Sequence, residues 1–176
     1  MERALPATHA RPSFDDVFKE HAPHVWRALR RLGVREADVA DVAQEVFVVV
    51  HRKLRHFEGR SSLSTWIYGI CIRRASQYRR KAWVRREVQT ADPILPPLEA
   101  PQDRADEERH ARVLLGRLLD TLDDDKREVF VLFEIERLPM NEIADILGVP
   151  VKTAYSRLYA ARNAMKQALT TLEADR

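Results

Sequence analysis

From Phe14 onward, apolar residues return at steps of three and four. Phe14, Val17, Phe18, Val25, Leu29 and Leu32, with half-apolar His21 among them, predict one amphipathic helix with a single buried stripe. Ser13 stands where a cap belongs, Asp15 and Asp16 fall in the first turn where carboxylates suit the helix dipole, and Gly33 ends the run. A second helix is predicted from about Glu36 to Phe57. Val39, Val42, Ala43, Val46, Phe47, Val50 and Leu54 face inward, leaving Asp38, Asp41, Gln44, Glu45, His51, Arg52 and Arg55 outside. Val48 and Val49 make its apolar band wider than one neighbour needs. Gly59-Arg60-Ser61-Ser62 breaks the pattern. Ser62 or Ser64 then caps a third helix, which begins at Thr65 or Trp66 and buries Ile67, Ile70 and Ala75 before its basic half.

The pattern changes at Thr90. Pro93, Pro96, Pro97 and Pro101 forbid regular helix, and Asp92, Glu99, Asp103 and Asp106 make the stretch acidic. Periodicity resumes near Glu107. Val113, Leu114, Leu115, Leu118, Leu119 and Leu122 build one helix; Asp123-Asp124-Asp125 caps the next, which carries Val129, Phe130, Leu132, Phe133 and Ile135. Pro139 to Leu147, the turn Gly148-Val149-Pro150, and Val151 to about Leu172 follow. Ile143, Ala144, Leu147, Gly148, Val149, Ala154 and Leu158 have helix-turn-helix spacing: a small residue at the crossing, glycine in the turn and a plug at the corner. The fold expected is all-α, with two small helical domains joined by a Pro-rich acidic linker, the C-terminal one a helix-turn-helix. The boundaries expected are a tail at 1–12, a first module at 13–89, a linker at 90–106 and a second module at 107–173.

Charge sharpens this division. Residues 1–90 carry 18 basic and 10 acidic side chains, a net +8; residues 91–139 carry 7 and 13, a net −6; the remainder is near neutral. Between Arg60 and Arg86 there are eight bases (Arg60, Arg73, Arg74, Arg79, Arg80, Lys81, Arg85 and Arg86) and no acid, with Trp66, Tyr68, Tyr78 and Trp83 interleaved. Uncompensated cations bind phosphate through counterion release, and flat aromatic faces accept unstacked bases, so this segment points to nucleic acid with a strand opened. The second helix of the helix-turn-helix presents Lys152, Thr153, Tyr155, Ser156, Arg157, Tyr159 and Arg162 to a major groove. Cys71 is the only cysteine and the six histidines form no ligand set, so neither a disulfide framework, a metal centre nor a cofactor is expected. No apolar run has the length of a membrane span, the start is not a signal peptide, and a reducing cytoplasm is the compartment expected.

Three strings carry a resemblance: Asp41-Val42-Ala43-Gln44-Glu45-Val46-Phe47; Ser64-Thr65-Trp66-Ile67-Tyr68-Gly69-Ile70; and Asn141-Glu142-Ile143-Ala144 with Ser156-Arg157-Leu158-Tyr159-Ala160-Ala161-Arg162. In this order, across a proline-rich linker, the chain resembles an extracytoplasmic-function (ECF) sigma factor of bacterial RNA polymerase over about residues 14–170. The resemblance implies that the first module is region two. Asp41, Gln44, Glu45, Arg52 and Arg55 would grip the clamp helices of the polymerase core. Phe57, Arg60, Ser61, Ser62, Trp66, Arg73, Arg74, Gln77, Tyr78, Arg79 and Arg80 would hold the minus-ten element as it opens. It implies that the second module is region four, meeting the polymerase flap and reading the minus-thirty-five element with Lys152, Thr153, Tyr155, Ser156, Arg157, Tyr159 and Arg162. The linker would follow the RNA path, and an anti-sigma factor is an expected partner. Arg73, Lys152, Ala154, Tyr155 and Ala160 depart from residues usual in that family, so no promoter sequence is implied.

Two other classes compete at this stage. A free-standing helix-turn-helix regulator predicts a dimer on a palindromic site, and the chain has no strong self-pairing heptad. A small recombinase needs a mixed α/β catalytic domain, whereas the front is read as all helix, and Ser61, Ser62 and Ser64 have no neighbouring base. No enzyme is expected.

Overall fold

A computed structural model of the chain describes residues 12–86 and 104–174. Most of the expected tail and most of the expected linker lie outside the described residues. Seven α-helices carry the fold, and there is no strand among the described residues. They are α1 (Phe14–Arg31), α2 (Val39–Lys53), α3 (Leu63–Arg86), α4 (Arg104–Asp120), α5 (Asp124–Phe130), α6 (Met140–Leu147) and α7 (Val151–Ala174).

The first three pack pairwise into one bundle. Ser13 accepts the Asp16 amide at 3.1 Å as the sequence predicts, with Asp15 and Asp16 in the first turn. The chain leaves α1 through Gly33, whose φ of +85° is open to glycine at little cost. Val17, Val25 and Leu29 of α1 meet Val39, Val46 and Val50 of α2 and Ile67, Ile70, Cys71 and Ala75 of α3, all buried. Each fully buried aliphatic side chain here contributes about 1.5–3 kcal/mol. Burial also pushes the Cys71 thiol up to about 12, so it packs as a small apolar group and carries almost no thiolate.

Three expectations shift in detail. The predicted second helix is regular only over α2, entered and left by single 3-10 turns at Glu36–Asp38 and Leu54–His56. The third starts earlier than read, because Ser62 is its cap: Ser62 Oγ accepts the Thr65 amide at 3.0 Å, and Ser64 lies inside the helix. Phe18, predicted for the buried stripe, is 41% exposed and joins Phe14, Phe47 and His51 in an aromatic cluster at the bundle's edge.

In the second module α5 and α6 both pack on α7, and α4 lies against it. Asp123 caps α5, its carboxylate accepting the Lys126 amide at 2.9 Å. The single helix predicted through Ile135 instead widens into a π turn at Val131–Ile135, and α4 begins three residues before the expected module boundary. Gly148, at φ +66°, makes the tight turn between α6 and α7. Ile143, Ala144, Ala154 and Leu158 are buried where those two helices cross, which is the packing the helix-turn-helix spacing predicts.

Candidate nucleic-acid interface

A helix advances about 100° per residue, so the basic residues of α3 cannot share one face. Trp66, Arg73, Gln77 and Arg80 fall within a narrow stripe; the last three are exposed and Trp66 is half-covered. Phe57, from the loop before α3, leans on Trp66 with ring centroids 5.2 Å apart. Arg60 and Ser62 of the same loop are exposed and Ser61 is half-buried. This is an aromatic pair at the head of a cationic track, the combination that suits an opened strand. Tyr68, another of the interleaved aromatics, is buried and offers no ring to a base.

Arg74, Lys81 and Arg79 turn elsewhere. Arg74 reaches Glu45 of α2 at 3.6 Å and donates to Gln77 at 3.0 Å, and with Lys81 it lines a shallow polar groove against Asp41 and Gln44. Tyr78 donates to Asp38 at 2.6 Å and accepts from Arg35 Nε at 3.0 Å, which fixes its ring at the junction of α1 and α2. Arg79 lies on the side of α3 away from the stripe. Its side chain is 12% exposed and enclosed by the second module. Nη2 donates to Glu128 at 2.9 Å, Nη1 donates to the Leu32 carbonyl, and Nε lies 2.5 Å from Asp124 Oδ1 in an ion contact without hydrogen-bond alignment.

That contact belongs to a row of ties between the modules. Thr65 donates to Glu142 at 2.9 Å, Tyr68 donates to Glu136, and Arg31 donates to the same Glu136 at 2.8 Å. Arg127 packs over Gly33 and donates to Asp120 at 3.1 Å. Burial pushes the Glu128 carboxyl up and the Arg127 guanidinium down, against the pull of their partners. A cavity of about 300 Å³ remains beside the row, lined by Glu20, His21, His24, Ser64, Tyr68 and Glu136. None of these acidic partners is visible in periodicity, which reports on a helix's own faces. The only signal for them is the opposite net charge of the two stretches.

On α2, Asp41, Gln44, Glu45 and Arg52 are exposed along one side, with Val48 (43% exposed) between them; exposed Arg55 continues the side into the following turn. The predicted set is thus brought together. On α7, Lys152, Tyr155, Ser156 and Tyr159 form one outward stripe, Tyr155 54% and Tyr159 69% exposed, and Thr153 is half-buried at its flank. Arg157 pairs with Asp125 at 2.6 Å, and Arg162 Nε donates to Glu134 at 2.6 Å with its guanidinium 5.7 Å from the Phe133 ring centre, so both stand beside the stripe. Asn163 and Lys166 extend it and are exposed; neither is among the residues predicted for this face, although the same spacing from Tyr159 reaches both.

Two family models match this chain: Sigma-70 region 2 over residues 17–85 and Sigma-70, region 4 over residues 112–165. The ECF RNA polymerase sigma-E factor of Escherichia coli strain K12 is 32% identical over 142 residues, covering 75% of this chain and 74% of the relative. The chain belongs to the ECF sigma factor family. A second relative, the ECF RNA polymerase sigma factor SigE of Mycolicibacterium smegmatis, is 29% identical over 162 residues; the match covers 91% of this chain and 63% of that protein. Among solved structures, CnrH in complex with the cytosolic domain of CnrY matches at a TM-score of 0.65 and 26% identity, covering 90% of this chain and 88% of that one. The sigma factor RpoE in complex with the anti-sigma factor NepR from Bartonella quintana matches at 0.61 and 25%, covering 88% and 97%. In this ECF sigma factor the region 2 match runs from α1 through α3, and the region 4 match runs from α4 into α7.

Proposed function

We propose that this chain is the promoter-specificity subunit of a bacterial RNA polymerase, working in the cytoplasm with no reaction of its own. The observation that carries it is the pair of separate faces suited to DNA, one within each matched region: the Trp66–Arg80 stripe on α3 and the Lys152–Tyr159 stripe on α7. The first module, 13–89, takes the polymerase clamp on the outer side of α2. It holds the opened minus-ten strand on Phe57, Trp66, Arg73, Gln77 and Arg80. The second, 107–173, lays α7 in the major groove upstream, with Tyr155, Ser156 and Tyr159 toward base edges and Lys152, Arg157 and Arg162 toward phosphates. Residues 90–106 join them, and an anti-sigma factor is a further partner, as in the complex of the Bartonella quintana relative. Among the described residues no helix is long and apolar enough to cross a membrane.

Energetics require the polymerase. Stacking in duplex DNA is about 1.4 kcal/mol per step, so opening a turn costs on the order of 10 kcal/mol or more. Bases stacked on aromatics return about 1–3 kcal/mol each, and Phe57 with Trp66 offers one such platform. Phosphate contacts hold duplex and single strand alike. The free chain is therefore expected to bind promoter duplex weakly, and the assembled enzyme tightly. Gel shift of promoter fragments with and without core polymerase measures this; equal affinity in both arms contradicts it.

A further inference from the structure

We propose that Arg137 is a further DNA-contacting residue of the second module: a cation set against a backbone phosphate of the upstream duplex at the entrance to α6, in a position where stability alone calls for glycine. The inference rests on the function proposed above and adds a residue to the upstream face. Its first support is the backbone. Among the described residues Gly33, Gly59 and Gly148 take a positive φ, and the one other residue that does so is Arg137, at +59°. The chain is leaving the π turn Val131–Ile135 at this point. The Glu136 amide donates to the Val131 carbonyl and the Leu138 amide to the Leu132 carbonyl, both at 3.0 Å. Where the chain wraps back over a helix end in this way, the left-handed residue is usually glycine, and a side chain with a Cβ is strained there. Strain kept at such a position points to a use for the side chain.

Its second support is charge. Seven bases lie from Asp120 to Lys166, and four of them are paired with carboxylates: Lys126 with Asp123, Arg127 with Asp120, Arg157 with Asp125 and Arg162 with Glu134. Lys152, Lys166 and Arg137 have no ion pair or hydrogen bond among the described residues. Lys152 lies on the outward stripe of α7 and Lys166 extends it, so two of the three open cations already belong to the face proposed for DNA. Arg137 is exposed. Its neighbour Glu136 takes Tyr68 and Arg31 of the first module, and Glu134, three residues back, holds Arg162 of α7. An arginine with acids one and three residues away and a bond to neither keeps its five donors for a ligand. Docking geometry says which ligand. The second helix of a helix-turn-helix enters the major groove while the first crosses the backbone, and Arg137 leads into that first helix, α6, three residues before it starts. It therefore meets phosphate and not a base edge.

The test compares the wild-type, Arg137→Gly and Arg137→Lys chains, each assembled with core polymerase, on duplex fragments of promoters that the wild-type enzyme transcribes, with the upstream sequence varied. Arg137→Gly is expected to raise the Tm of the free chain by about 2–4 °C as the strain is released. The same variant is expected to bind promoter about five- to tenfold more weakly at about 0.1 M salt, by one factor on every upstream sequence, with the salt slope lowered by about 1. Arg137→Lys keeps the cation and is expected to keep the wild-type affinity and slope. A gain in Tm with affinity and slope unmoved leaves the strained arginine without a part in binding and overturns the proposal. So does a lysine variant as weak as the glycine one, or a loss confined to particular upstream sequences. A Tm that does not rise removes the strain argument and overturns it as well. Transcription by the wild-type chain with core polymerase is scored first: its absence defeats the functional reading, whereas any of the contrary outcomes beside an active wild-type enzyme defeats only the role of Arg137.

Discussion

Gly33 combines two roles that no other residue can. Its φ of +85° suits the turn out of α1, and its missing Cβ leaves room for the Arg127 guanidinium, with which a methyl group would collide. The sequence foretold the first role from the end of a helical stripe. The second depends on a residue 94 positions away, and no local pattern reports it. Alanine in the left-handed region costs about 1–2 kcal/mol before any collision, so Gly33→Ala is expected to lower Tm by at least about 4 °C. An unchanged Tm would contradict this packing. His21 behaves similarly. It reads as half-apolar in sequence and is buried in the structure, where burial pulls its imidazole below the ordinary 6.5. The groups around it are Glu20, His24 and, across the cavity, Glu136 and Tyr68. Because the unfolded chain takes up the proton first, the neutral ring's stability is fully present above pH 6.5 and is lost as pH falls through the lower folded value. The drop in Tm between about pH 7.5 and about pH 5.5 should shrink in His21→Gln. An equal drop in the two chains would assign the acid sensitivity elsewhere.

At the scale of elements, the helices were legible because each buries a stripe, and period alone locates a stripe. Boundaries followed caps: Ser13 and Asp123 were read correctly, and Ser62 took precedence over Ser64. The π turn at Val131–Ile135 was not legible, since one extra residue in a turn leaves the apolar content of the segment unchanged. Which face each base of α3 takes follows from 3.6-residue spacing, whereas the run of charge alone shows one patch. The structure divides it into an open track (Arg73, Gln77, Arg80), a groove against α2 (Arg74, Lys81) and the enclosed Arg79. Arg80→Ala should therefore flatten the salt dependence of promoter complexes by about 1 in slope, with sequence preference kept. An unaltered slope makes Arg80 a bystander. On α7, Tyr155→Ala should relax preference at the upstream element and leave opening intact. Equal loss on every upstream sequence contradicts a reading role.

For the whole molecule, charge divides the sequence into a basic front and an acidic middle that takes in both the linker and the first half of the second module. Part of that acid lies on α5 and just after the π turn, where Asp124, Glu128 and Glu136 meet the front. Pairings across 49, 68, 77 and 105 residues tie the modules together, and only a folded chain displays them. The two faces proposed for DNA stay outside this contact, one on each module. The most direct measurement is run-off transcription from genomic promoter fragments with core polymerase, with the chain present and absent. The account predicts defined start sites only when the chain is present, lost on replacing both Trp66 and Arg80 with alanine. Start sites that are the same without the chain, or a chain that fails to bind the core at all, would contradict it.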